Sequence, residues 1–155
     1  MTVAETLVEL LRAKGLVCAT AESCTGGGVG SAITAVPGSS AVFAGGVISY
    51  SNEVKRDVLG VSARSLQTVG AVSGEVAAQM ADGVRRLLKT DLSVSLTGIA
   101  GPDGGSAEKP VGLVWFGLST KDSTRTEKVI FSGDRARVRA QAVTHALGML
   151  TVAAT

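Results

Sequence analysis

The sequence has a single histidine, two cysteines and three prolines in 155 residues. Cys18 and Cys24 are too few for a disulfide framework, and one His145 leaves no zinc-ligand spacing. No metal site is therefore expected. Aromatic residues make up 3% of the chain, one Trp, one Tyr and three Phe, which argues against the stacking platforms that hold single-stranded nucleic acid. A net charge of +2 is too small to imply a polyanionic partner, although Arg135, Arg137 and Arg139 form a local cluster, so nucleic acid is not expected. No apolar run is long enough to cross a bilayer. Met1–Lys14 is amphipathic and acidic near its start, unlike a signal peptide, so the expected location is the cytoplasm, away from membranes. Repeats, linkers and low-complexity segments are lacking too, which makes 1–155 one domain.

What is present is an apolar, glycine-rich chain. Hydrophobic residues reach 45% and charged ones 18%, a balance that excludes disorder and favours extensive burial, extending to subunit interfaces; a homo-oligomer is expected. Twenty glycines suit an α/β domain with many tight strand-to-helix turns. Thr2–Lys14 has a helical apolar stripe (Val3, Leu7, Leu10, Leu11), a capping box from Thr2 to Glu5, and Gly15 as its stop. Leu16–Ala21 reads as a buried strand and Gly26–Ala35 as a helix. Pro37-Gly38-Ser39-Ser40 is a turn. Ala41–Ser49 is a strand with a bulge or close backbone approach at Gly45-Gly46. Ser51 or Asn52 caps a short helix to Leu59, with Val54, Val58 and Leu59 inward. Short helical turns over Ser62–Val69 precede a helix over Gly74–Lys89 capped by Ser73. Leu92–Thr97 alternates apolar with small hydroxylic residues. Val111–Ser119 and Arg125–Phe131 form a hairpin, and Arg135–Leu150 closes the chain as a helix with Val138, Val143, Ala146, Leu147 and Leu150 buried. Helices interleaved with strands, then a hairpin, predict an α/β fold, a three-layer α/β/α sandwich around a mixed β-sheet.

The chemistry concentrates at strand ends. Ala21-Glu22-Ser23-Cys24-Thr25-Gly26-Gly27-Gly28 follows the first strand. Hydroxyls, a thiol and glycines before a helix start can line a ligand site at the carboxyl edge of a sheet. The plain alternative is a glycine-rich loop with a Ser/Thr cap. Gly98-Ile99-Ala100-Gly101-Pro102-Asp103-Gly104-Gly105-Ser106 is a second such loop, neither a Walker A loop nor a dinucleotide fingerprint. Converging edges would gather Ser23, Cys24 and Thr25, Tyr50 and Lys55, and Thr97 through Ser106 into one pocket. Its only carboxylates would be Glu22 and Asp103. A Ser-His-Asp triad would need His145, which falls deep in the last helix, and a Cys24–His pair meets the same objection. A serine activated by lysine remains. Lys55, beside the positive end of its short helix, has one physical route to a lowered pKa; the alternative is a solvated surface lysine. A neutral lysine can deprotonate a serine hydroxyl, a tyrosine can position the proton, and the N–H groups of Gly26-Gly27 can hold an oxyanion.

Taken in order, Ala21-Glu22-Ser23-Cys24-Thr25-Gly26-Gly27, Pro37-Gly38-Ser39-Ser40, Tyr50-Ser51-Asn52 with Lys55, Gly70-Ala71-Val72-Ser73, Gly98–Gly105 and Lys109-Pro110-Val111-Gly112 resemble the CinA C-terminal domain family. The resemblance covers nearly the whole chain, including Gly133-Asp134-Arg135 and the helix after it. It implies a nicotinamide-nucleotide amidohydrolase that converts nicotinamide mononucleotide (NMN) to nicotinic acid mononucleotide and ammonia in pyridine nucleotide salvage, without a cofactor. It implies Ser23 as nucleophile, Lys55 as general base and Tyr50 as an assisting group. Thr25, Gly26, Gly27, Gly46, Thr97, Gly101, Gly104 and Gly105 would cradle substrate, with Arg135 toward the phosphate. Gly28 and Gly30 stand where larger apolar residues are usual, so a less rigid helix is expected there. The larger CinA proteins carry a further N-terminal nucleotide-hydrolysing domain; it is not in this sequence, so its metal-dependent pyrophosphatase activity is not expected. The competing readings are a regulatory protein linked to competence and DNA damage, and a nucleotide-binding module without catalysis.

Overall fold

A computed structural model describes residues 1–155. Helix α1 (Val3–Lys14) opens on the expected capping box: the Glu5 N–H donates to Thr2 Oγ1 at 3.1 Å, and the Thr2 N–H to a Glu5 carboxylate oxygen at 3.0 Å. Gly15 ends it at φ 65°, a left-handed conformation that glycine adopts without penalty. The buried stripe is Ala4, Leu7, Val8 and Leu11. Val3, expected inward, is 39% exposed; it is the first residue of the helix and lies outside that stripe.

The remaining elements run β1 (Cys18–Glu22), α2 (Gly28–Thr34), a single 3-10 turn at Ser39–Ala41, β2 (Phe43–Ile48), α3 (Asn52–Asp57), α4 (Ala63–Thr68), α5 (Gly74–Leu88), β3 (Leu92–Gly98), β4 (Leu113–Thr120), β5 (Thr124–Ile130) and α6 (Arg135–Ala154). The sheet order is β2-β1-β3-β4-β5. β1 runs parallel to both neighbours, whereas β3–β4 and β4–β5 are antiparallel. This is the mixed, open α/β sheet that the sequence pattern predicts. β1 pairs with Gly45 directly after pairing with Phe43, which leaves Ala44 as the bulged residue.

Two apolar clusters cover the two faces, giving the three layers. One joins α1, α2 and α6 to Cys18, Leu92, Val94, Leu96, Val114, Phe116 and Leu118. The other joins Ala19 and Ala21 to Leu59, Val61 and the α5 residues Val76, Met80 and Val84. The hydroxylic face of β3 lies under α5. There Ser93 Oγ donates to the Ala81 carbonyl at 2.6 Å and Ser95 Oγ to the Ala77 carbonyl at 2.5 Å. Small side chains bring helix and sheet close, and each buried hydroxyl keeps a partner. α6 continues to Ala154, with Ala142, Met149 and Ala154 joining its buried face, while Val143 is only half-buried.

β1 is followed by α2 on one face of the sheet, and β3 is preceded by α5 on the other. The carboxyl ends of these adjacent parallel strands therefore open a crevice, where doubly wound sheets hold ligands.

Candidate active site

Ser23 is the first residue after β1, 8% exposed. Its N–H donates to the Leu96 carbonyl on β3 at 3.1 Å, and its carbonyl accepts from the Gly26 N–H at 3.1 Å. These bonds fold residues 23–26 into a turn anchored on the neighbouring strand. Glu22, also buried, turns toward α2. Its carboxylate accepts from Thr25 Oγ1 (2.6 Å), the Val29 N–H (2.9 Å) and the Gly30 N–H (3.0 Å). The helix-start donors offered to an anion by the sequence are thus taken by the chain's own carboxylate. Glu22 is therefore not paired with Asp103.

Lys55 is the largest fully buried side chain, 1% exposed. α3 is capped by Ser51, whose hydroxyl accepts from the Val54 N–H at 3.2 Å. The helix faces the crevice with Lys55, and Val58, expected inward, is 44% exposed. Lys55 Nζ reaches three oxygens: the Ser49 carbonyl (2.7 Å), the Tyr50 carbonyl (3.2 Å) and Ser23 Oγ (3.1 Å). Burial lowers its pKa from the ordinary 10.5, opposed only by a Cys24 thiolate. Cys24 itself is pushed up to about 11 by burial, so at neutral pH it is an uncharged thiol and that opposition vanishes. The surface-lysine reading of the sequence is corrected by this geometry.

A cavity of about 300 Å³ opens over this pair. Of the residues expected to meet substrate, Ser23, Tyr50, Lys55, Thr97, Gly101, Gly104 and Arg135 line it. Thr25, Gly26, Gly27, Gly46 and Gly105 do not. Thr25 is turned onto Glu22. Gly26 gives its N–H to Ser23, so it is not a free oxyanion donor. Gly27 and Gly46 border a separate cleft between β2 and α2, where the missing Cβ of Gly46 makes room for the Thr20 hydroxyl. Gly105 packs on Val111. The side chain of Tyr50 is 65% exposed at the cavity mouth; its contact with Lys55 is through its carbonyl. Arg135 Nη1 donates to the Gly101 carbonyl at 2.8 Å, fixing the second glycine loop against α6.

Gly98, Ile99, Ala100 and Asp103, gathered into the pocket with the second glycine loop, line it too, whereas Asn52, Ala71 and Val72 line it without having been given a role from the sequence. Thr97 Oγ1 donates to the Ala71 carbonyl at 3.0 Å, bringing the turn before α5 to the end of β3. The signal for Ala71-Val72 was available, as part of an ordered motif with no role given to it. His145 lies elsewhere, 2.5 Å from Glu127 and against the Phe116 ring.

Fold and site together define an α/β protein with a buried serine–lysine pair at the carboxyl edge of a mixed sheet. The chain belongs to the CinA C-terminal domain family, whose model matches residues 1–153. It is 54% identical over 138 residues to the nicotinamide-nucleotide amidohydrolase PncC of Enterobacter agglomerans, covering 88% of this chain and 84% of that protein. A competence-damage inducible protein of Caldanaerobacter subterraneus is 52% identical over 146 residues, 94% of this chain and 35% of the relative. The chain thus spans about a third of the length of several such relatives. The crystal structure of the competence/damage inducible protein CihA from Agrobacterium tumefaciens superposes with a TM-score of 0.95 at 42% identity, over 98% of this chain and 93% of that one.

Proposed function

We propose that this protein is an amidohydrolase that converts NMN to nicotinic acid mononucleotide and ammonia, with Ser23 as nucleophile and Lys55 as base. The observation that carries this reading is the set of oxygens around Lys55 Nζ. A neutral amine has two N–H donors and one lone pair. Two of its neighbours are carbonyls, which only accept, and the third is a hydroxyl, which can donate. Neutral Lys55 satisfies all three by donating to Ser49 and Tyr50 and accepting from Ser23. Its lone pair then faces the serine proton, as a general base requires.

Ser23 Oγ attacks the carboxamide carbon as its proton passes to Lys55 Nζ. The tetrahedral intermediate collapses when Nζ returns that proton to the leaving nitrogen, releasing ammonia and an ester on Ser23. Water, deprotonated by the same amine, then cleaves the ester to the carboxylate. Arg135, which also lines the cavity, has N–H groups beyond the one spent on Gly101, and a guanidinium suits a phosphate monoester. The similarity to a protein named as a nicotinamide-nucleotide amidohydrolase supports the substrate assignment. Salvage of pyridine nucleotides is the role that follows from such a reaction. Association of copies, expected from the apolar composition, has candidates in Ile48 and Tyr50, both exposed on the segment leading to Lys55; light scattering measures it.

The test is ammonia release from NMN by the wild type, Ser23→Ala, Lys55→Met and Cys24→Ala. Activity should fall by about a thousandfold or more in the first two variants and persist in the third. Loss only in Cys24→Ala moves the nucleophile by one residue. A folded wild type that releases no ammonia rejects the amidohydrolase and leaves a regulatory or binding role, in keeping with the names of the longer relatives.

A further inference from the structure

The sheet has two edges, β2 and β5, and they are finished differently. β5 carries Arg125, Glu127 and Lys128, the kind of charge with which natural sheets keep an open edge from pairing. β2 carries none. From Ser23 to Asn52 no residue is charged, so α2, β2 and the loops around them present one uncharged flank. Ala44, Gly46, Ile48 and Tyr50 are exposed along it, Ile48 by 55%.

The backbone of β2 is open on that side. The Ser49 N–H donates to the Glu22 carbonyl at the end of β1, at 2.7 Å, and successive residues of a strand turn their N–H and C=O groups to opposite sides. Gly46 and Ile48 therefore aim theirs away from β1, two donors and two acceptors with no strand beside them. Their side-chain positions share the α2 face, since Gly46 pairs with Thr20 and Ile48 with Glu22, whose carboxylate binds α2. On that face the strand has a projection and a recess two residues apart. Ile48 projects. At Gly46 the absent side chain opens onto the cleft of about 190 Å³, which Gly30 and Phe43 also wall.

These features fit a copy of the same strand running the other way. We propose that two copies of this chain join through β2, antiparallel about a two-fold axis at Val47, so that two five-stranded sheets become one continuous sheet. In this register Gly46 lies opposite the partner's Ile48, and Ile48 opposite the partner's Gly46. Each such pair exchanges two backbone hydrogen bonds, and each Ile48 covers the other copy's cleft. A two-fold contact needs a patch complementary to itself, and a bulky apolar side chain two places from a glycine supplies one. A charged partner would instead leave its charge desolvated against an uncharged flank. β2 continues into Ser49 and Tyr50, whose carbonyls hold Lys55, so the joint ends at the cavity mouth. It does not depend on what the cavity hydrolyses, and mass rather than ammonia tests it.

The experiment is multi-angle light scattering at micromolar concentration on the wild type, Ile48→Lys and Ile130→Lys, with a cooperative melt required of each variant. Ile130, 62% exposed on the β5 edge, controls for the loss of an exposed apolar side chain. Wild type and Ile130→Lys should show twice the 15.6 kDa of one chain. Ile48→Lys should fall to a single chain, because its ammonium would have to enter the partner's cleft. Val47→Cys reads the register. Its two thiols would flank the axis with Cα atoms about 4.5 Å apart, within disulfide reach, and diamide should link the copies covalently. Cys18 and Cys24 are buried, so the wild type should stay unlinked. A wild type of one chain or of three overturns the proposal, as does a mass unchanged in Ile48→Lys or halved equally in Ile130→Lys. A Val47→Cys protein that diamide leaves unlinked overturns the register, and the pairing with it.

Discussion

Lys55 Nζ stands 3.1 Å from Ser23 Oγ although 32 residues separate them, and its other two contacts are backbone carbonyls of the strand-to-helix connection. No carboxylate neutralises this amine. An ammonium there would be desolvated with no ion partner, the costly arrangement for a buried charge, and the amine relieves that cost by releasing its proton.

The pH dependence follows from that release. Because Lys55 titrates below its ordinary 10.5 when folded, the neutral, basic form grows as pH rises. Turnover should therefore climb along one alkaline limb and level off below 10.5. Stability should move the same way. Between the folded and unfolded pKa the unfolded chain holds the extra proton, so stability increases with pH across that window. Denaturant melts of wild type and Lys55→Met from pH 6 to 10 give the difference directly, and a difference independent of pH would contradict a displaced pKa.

Cys24 is adjacent to Ser23, the proposed nucleophile, yet should be chemically quiet. Its thiol, pushed up to about 11, holds almost no thiolate at pH 7.5, and thiolate is the alkylated species. Iodoacetamide should leave ammonia release intact over an hour at pH 7.5, while an arylboronic acid, which becomes tetrahedral and anionic on binding a serine, inhibits reversibly. Rapid loss of activity with one carboxamidomethyl group on Cys24 would show a thiol far more acidic than its burial dictates.

Tyr50 gives a separate prediction because its carbonyl and its phenol face different tasks. The carbonyl binds Lys55, and the ring stands largely in solvent. Tyr50→Phe should keep kcat within about threefold, since it leaves the backbone contact untouched. A loss of a hundredfold or more would place the phenol in the proton path.

Glu22→Gln tests the support beneath the turn that carries Ser23. The carboxylate accepts three hydrogen bonds, and a glutamine in the same rotamer turns an NH₂ toward donors. A loss of about 2–3 kcal/mol in urea unfolding is expected. Stability within 0.5 kcal/mol of wild type, about the error of such a comparison, would mean the three bonds contribute nothing net.

Much of this molecule could be read before its coordinates. The Thr2–Glu5 box and the Ser73 cap follow local rules that depend on a few neighbouring residues, and both form as read. The hydroxylic face of Leu92–Thr97 was also visible, though not its use: only the approach of α5 gives Ser93 and Ser95 their carbonyl partners. Lys55 shows where local reading ends. Its position early in a short helix was legible, but its burial depends on β1, β2 and α3 meeting at one edge. The same holds for Gly26 and Gly46, which resemble ligand-facing glycines in sequence. One turned out to serve the turn itself, and the other makes space for a neighbouring side chain. Arg139 was visible only as part of a basic cluster, because its partners, the Cys24 and Thr25 carbonyls, leave no mark in the side-chain pattern.

The cavity draws its walls from Ser23, Lys55, Val72, Gly101 and Arg135, so no contiguous stretch of the chain contains it. In a nascent or partly opened chain, Lys55 is a hydrated ammonium and Ser23 an ordinary alcohol. On the proposed mechanism, reactivity arises only once β1, β2 and α3 have met at one edge, which keeps a half-made copy from acylating itself on whatever electrophile the cell offers.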